Sequence, residues 1–141
     1  MKTFIVTAAV ITDSGRVLIT QRKEDASQGL KWEFPGGKLE EGEDPEDCIV
    51  REIKEEIAID IEVDSIYKAV LQRYGDRNIL LLAYRCRHVG GSPVPLECSS
   101  IQWAPVQRLL DYDLAEADIP IARKLQEDLG NGSADEGKAD F

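Results

Sequence analysis

Residues 36–59, GGKLEEGEDPEDCIVREIKEEIAI, crowd carboxylates around one short stretch, although like charges three or four residues apart on a helix cost about 0.2–0.5 kcal/mol per pair. On a helix turning about 100° per residue, Glu52, Glu55 and Glu56 share an arc of roughly 100°, and Ile49, Val50, Ile53 and Ile57 share the adjacent one. One face is built to pack and the other to present acids. Most acidic helix faces are simply solvated. Here a glycine-rich turn that can expose backbone carbonyls precedes the helix, and three convergent carboxylates beside it make an all-oxygen site for a hard divalent cation, Mg²⁺ or Mn²⁺. Arg51, four residues before Glu55, can brace that carboxylate or another of the cluster.

The elements that must position these groups are legible in part. Residues 3–12 read as a strand buried on both faces, Asp13-Ser14-Gly15 as a turn, and residues 17–22 as the second strand of a hairpin. Residues 23–31 read as a loop, 32–34 as a short strand, and Pro35-Gly36-Gly37 as a break. Asp44 can cap a helix, Pro45 suits its first position, and Glu46 and Asp47 favour the positive end of its dipole, which predicts a helix over 45–57. Residues 59–74 and 78–87 are rich in β-formers around a Gly75-Asp76 turn. A long loop over 90–95 precedes a strand near 101–103, a last helix is expected over 119–129, and residues 130–141 read as a disordered polar tail. No repeat is present.

At 141 residues the chain suits one domain, taken as residues 1–129. No apolar run reaches the roughly eighteen residues of a spanning helix or resembles a secretory leader, so the expectation is a cytoplasmic protein with no membrane partner. Cys48, Cys86 and Cys98 lack metal or disulfide spacing and read as reduced packing residues. A formal charge of −10, from 27 acids and 17 bases, argues against nucleic-acid polymers, whose affinity comes mainly from cation–phosphate contacts. A single nucleotide arriving as a metal complex remains compatible. A monomer or weak dimer is expected.

The run Gly37, five residues, Glu43, seven residues, Arg51-Glu52-Ile53-Lys54-Glu55-Glu56, then Ile59 resembles the Nudix box, G-x5-E-x7-R-E-U-x-E-E-x-G-U with U apolar. Eight of the nine specified positions fit, and Ala58 stands where the pattern has glycine, which bears on how the helix ends. The resemblance runs to about Leu125 and is closest to MutT-type nucleoside triphosphate pyrophosphohydrolases, including those acting on CTP and oxidised nucleotides such as 8-oxo-dGTP. It implies an α/β/α sandwich around a mixed β-sheet, an α/β fold. It also implies Mg²⁺-dependent hydrolysis of a (deoxy)nucleoside triphosphate to monophosphate and pyrophosphate, a nucleotide-pool sanitising activity.

By that resemblance Glu52, Glu55, Glu56 and the Gly36 carbonyl are metal ligands, and Lys38 and Glu43 act behind them or on phosphate. Glu97, in the loop before Trp103, is placed like a mobile-loop glutamate that serves as ligand or base, with Glu52 the alternative base. Arg22 resembles an arginine that contacts phosphates or loop backbone, and Arg77 one on the base side. Phe34 and Tyr74 can stack on a base, and Glu33 can accept from it. Asp118 stands where MutT has a base-reading asparagine and where cytosine-accepting relatives have aspartate. Ionised, it accepts only; protonated, it also donates. It can equally cap the last helix. Trp32 and Trp103 read as packing residues, and His88, the only histidine, carries no assigned role.

Two other readings fit the same box. One is a Nudix hydrolase for ADP-ribose, NADH or dinucleoside polyphosphates, which the absence of proline between 58 and 92 disfavours. The other is a non-catalytic nucleotide-binding module, disfavoured by the intact set of glutamates.

Overall fold

A computed structural model describes residues 2–130; the expected tail, from residue 131 on, lies outside the described residues. Strand β1 (Lys2–Asp13) carries FIVTAAVI, the β-branched content that favours a pleated, buried surface. Its side chains alternate between two apolar cores, Ala8 and Val10 on one face and Ala9 and Ile11 on the other. Strand β2 (Arg16–Gln21) follows through Ser14-Gly15, both at positive φ, the two-residue turn that matches strand twist. Val17 and Ile19 continue the first core, and Leu18 the second.

Strands β3 (Trp32–Glu33), β4 (Gly36–Lys38), β5 (Asp60–Arg73), β6 (Arg77–Gly90) and β7 (Ser100–Pro105) complete a seven-stranded sheet. Its main order is β3-β2-β1-β6-β5, with β4 on β1 and β7 on β2. β1 runs parallel to β6 from Lys2↔Arg77 to Ile11↔Cys86, and its pairings with β2 and β4 are antiparallel. The sheet is therefore mixed. Helix α1 (Pro45–Ile57) covers one face through Ile49, Ile53 and Ile57. Helix α2 (Ile119–Leu125), with the 3₁₀ turn Val106–Asp111, covers the other through Ile121, Ala122, Leu125 and Leu109. Burying each of these isoleucine and leucine side chains stabilises the sandwich by about 1.5–3 kcal/mol.

The expected boundaries of α1 coincide with the observed ones, and Asp44 accepts from Glu46 N at 2.9 Å as cap. Three expectations change. Pro35-Gly36-Gly37 does not simply break the chain, because Gly36 and Gly37 pair with Ala8 and Thr7 as part of β4. The last α-helix ends at Leu125 and continues as a wider π-type turn over Gln126–Gly130. Val50 remains exposed, and Cys48, on the far side of the helix from it, is buried against the Gly37 and Lys38 carbonyls of β4. No helix among the described residues is long and apolar enough to cross a membrane.

Candidate active site

β4 brings the box onto β1. A Cβ at Gly36 would lie 1.9 Å from the Thr7 carbonyl oxygen, and one at Gly37 would lie 2.1 Å from a Glu52 carboxylate oxygen. Glycine is thus needed at 36 for the strand to approach β1, and at 37 for Glu52 to lie over the strand.

Arg51 organises the acids. Its Nε donates to Glu43 at 2.7 Å, and its terminal nitrogens reach Glu43 at 3.0 Å, Glu52 at 3.0 Å, Glu55 at 3.1 Å and the Lys38 carbonyl at 3.4 Å. This fork geometry is what a guanidinium offers and an ammonium does not. The Arg51 bond holds the Glu43 carboxyl down at about 2. It also raises the pKa of Arg51 itself.

Glu56 lies closest to the packing arc of α1, so its carboxylate turns into the protein and is 7% exposed. Gly36 N donates to its Oε1 at 3.1 Å, and the buried Thr20 hydroxyl to Oε2 at 3.4 Å. Burial, then the neighbouring Glu33 charge, pushes its pKa up to about 8. Burial also raises that of Glu52, opposed by Arg51 and assisted by Glu55 and Glu97.

Two adjoining clefts share Arg22, Glu33 and Gly36. The smaller, about 240 Å³, is also lined by Glu52, Glu56, Glu97 and Lys23. The larger, about 520 Å³, collects Phe34, Lys38, Tyr74, Arg77 and Asp118. Arg22 binds Glu33 at 3.1 Å and the Ser27 carbonyl at 2.7 Å, so it does brace the loop backbone. That pairing opposes the burial that raises the Glu33 pKa. Phe34 is 3% exposed, with its ring in the core. Arg77 lies over the Tyr74 ring, 5.8 Å from its centroid.

Asp118 occupies the N-cap position of α2 without capping it; its Oδ1 accepts instead from Phe34 N at 3.0 Å. Burial, then the Glu33 charge, holds its carboxyl well above the usual range. Glu43, Arg51 and half-exposed Glu55 line neither cleft; Arg51 joins the two acids to Glu52, which lines the smaller one.

Phe4, Gln28 and Leu81 of the larger cleft and Thr20 beside Glu56 also belong to the site. Phe4 lines the larger cleft with Lys38 Nζ 4.4 Å from its ring centroid, and Gln28 Nε2 reaches the Tyr74 hydroxyl at 3.3 Å. Only strand register places them, apart from the loop position of Gln28, and no local signal marks them.

A divalent cation would need several of these carboxylates to converge on it. Among the described residues no three acidic, His or Cys side chains gather closely enough to enclose an ion as they stand. Arg51 holds Glu52 and Glu55, and Gly36 N and Thr20 hold Glu56. The chemistry nonetheless fits, because carboxylates raised by burial and mutual repulsion are the environment a hard cation relieves.

The sequence matches the NUDIX domain over residues 1–125. This chain belongs to the Nudix hydrolase family. Nudix hydrolases act on small-molecule nucleotide substrates and generally use divalent metal ions. The Nudix chain is 34% identical over 121 residues to the CTP pyrophosphohydrolase of Escherichia coli K12, covering 86% of this chain and 90% of that protein. It is 32% identical over 127 residues to the 8-oxo-dGTP diphosphatase of the same organism, covering 89% and 98%. The solution structure of the E. coli ORF135 protein superposes with a TM-score of 0.79 at 30% identity, covering 94% of this chain and 96% of that one.

Proposed function

We propose that this Nudix hydrolase converts (deoxy)nucleoside triphosphates carrying cytosine or an oxidised base to the monophosphate and pyrophosphate, with Mg²⁺ as cofactor. The observation that carries this reading is the junction of an acidic cleft with an aromatic and cationic one at Arg22, Glu33 and Gly36. A triphosphate needs both: acids that hold metal against its phosphates, and a dry pocket for its base. Both E. coli relatives act on such nucleotides by name.

Glu52, Glu55, Glu56, Glu97 and the Gly36 carbonyl would hold the metal, which when bound screens phosphate charge and lowers the pKa of attacking water. Arg51 keeps Glu52 and Glu55 in their rotamers. Glu97 or Glu52 takes the water's proton, and Lys38 and Arg22 bear phosphate charge. Tyr74 and Arg77 flank the base, and Asp118 reads it. Because Asp118 Oδ1 already accepts from Phe34 N, its Oδ2 is the oxygen left for the base. Protonated, that oxygen donates to a carbonyl of an oxidised purine and still has a lone pair for the N4 amine of cytosine.

A pyrophosphate-release panel tests the reading with CTP, dCTP, 5-methyl-dCTP, 8-oxo-dGTP, dGTP and ADP-ribose at fixed Mg²⁺. Cytosine or 8-oxoguanine nucleotides should lead. Turnover of ADP-ribose alone would exclude the triphosphate assignment.

A further inference from the structure

The loop bearing Glu97 is tied to the end of the helix that carries the other acids. A helix leaves its last carbonyls without internal partners. In α1 the Ala58 N–H closes on the Lys54 carbonyl at 3.1 Å with Ala58 in the left-handed region. The carbonyls of Glu56 and Ile57 are taken by the loop. Val94 N donates to Ile57 O at 2.9 Å, and Leu96 N and Glu97 N donate to Glu56 O at 3.0 and 3.2 Å.

Within Pro93-Val94-Pro95-Leu96-Glu97 the two prolines have no N–H, the N–H groups of Val94 and Glu97 go to α1, and that of Leu96 is shared between Glu56 O at 3.0 Å and Val94 O at 2.9 Å. The side chains of Val94 and Leu96 are 46% and 53% exposed, so they do not anchor the segment. Both ends are also fixed. Ser99 N donates to Gln21 O at 2.8 Å, and His88 Nε2 lies 2.7 Å from Gly91 O. Gly91, at φ 79, passes so near the helix end that a Cβ would meet Ala58 O at 2.8 Å.

From these bonds we infer that residues 93–97 form a preorganised strap that sets Glu97 in register with Glu56, and that the strap's amides are positioning groups for the hydrolysis. The inference rests on the proposed role of Glu97. One backbone carbonyl, that of Glu56, fixes the loop residue whose carboxylate enters the same cleft as the Glu56 carboxylate. Alternating prolines lower the entropy of the unbound segment, so little ordering is left to occur when substrate arrives.

The test pairs an amide deletion with Glu97→Gln. Leu96→Ala keeps the amide and sets the baseline; Leu96→Pro removes it. Leu96→Pro should lower kcat about tenfold against that baseline with KM little changed, since small displacements of a reacting group cost up to about a hundredfold. Added to Glu97→Gln it should cost nothing further. Where thermal melts show that Leu96→Pro does not fold, Pro95→Gly replaces it: all three amides remain, the strap gains freedom, and kcat should fall about threefold with Glu97 and not with Gln at 97. Hydrogen exchange on the metal-free protein supplies an independent readout, with the amides of Val94, Leu96 and Glu97 protected. Multiplying effects of the two substitutions, a Glu97→Gln enzyme as fast as wild type, or peptide-like exchange at those amides would each overturn the strap's role. Protected amides in a protein that turns over no nucleotide would instead indict the proposed function.

Discussion

Arg51 donates to both carboxylate oxygens of Glu43, at 2.7 and 3.0 Å, and the same guanidinium reaches Glu52 and Glu55 on its own helix. Glu43 precedes α1, so this bond ties the chain leading into the helix to the acids on its second half. Arg51→Lys keeps the charge and loses the fork. Groups that orient metal ligands are worth about 10–100-fold in activity, so kcat/KM should fall in that range while the thermal midpoint moves little. An unchanged kcat/KM would show that the glutamates orient without Arg51.

The two glycines of β4 separate stability from activity. Gly36→Ala places a methyl 1.9 Å from backbone that cannot move without breaking the β1 pairing. It should lower stability by several kcal/mol, on the order of other forced core overpacking. At Gly37 the obstacle is a Glu52 oxygen 2.1 Å away, which can rotate aside. Gly37→Ala should therefore fold with a near-normal denaturation midpoint and lose about 10² or more in kcat, as expected when a catalytic group is displaced by about 1 Å.

Ala58, the one departure from the box, holds φ 65. A non-glycine residue there costs about 1–2 kcal/mol, part of which glycine returns in unfolded-state entropy. Ala58→Gly should raise stability by about 1 kcal/mol, about 3 °C in Tm for a domain of this size. A lower Tm would contradict the strain.

With Asp118 in the proposed role of base reader, base choice should depend on pH. The raised Asp118 carboxyl is neutral at low pH and ionises as pH climbs, so an O–H donor present in acid is lost in alkali. The kcat/KM ratio of 8-oxo-dGTP to CTP should fall as pH rises, by about tenfold for one hydrogen bond of about 1.4 kcal/mol. Asp118→Asn should flatten that dependence. A carboxyl raised in the fold stabilises below its ordinary value near 3.8 and surrenders that stability as pH rises through the folded value. Urea midpoints of Asp118→Asn should therefore gain on wild type as pH rises.

Much of this was legible because the chemistry is local. Asp44, Pro45 and the acids after them mark the start of α1, and the spacing from Gly37 to Ile59 marks the box. Glycine's poor strand propensity hid β4, which exists only because β1 supplies its partner. Angular position explains why Glu56, and not Glu55, is buried. The ends of the site are the non-local part: Phe4 and Leu81 reach the larger cleft through the parallel register of β1 and β6. The bond from Phe34 N to Asp118 spans 84 residues. No window of sequence contains either relation.

Product analysis is the most direct test of the proposed pyrophosphohydrolysis. CTP and 8-oxo-dGTP would be incubated separately with the enzyme, with and without Mg²⁺, alongside Glu55→Gln, and the products separated by ion-exchange chromatography. Equimolar nucleoside monophosphate and pyrophosphate are expected from at least one of them, dependent on Mg²⁺ and reduced about 10² or more by Glu55→Gln. Nucleoside diphosphate and phosphate as products, turnover that persists in excess EDTA, or no turnover of either nucleotide would contradict that reaction.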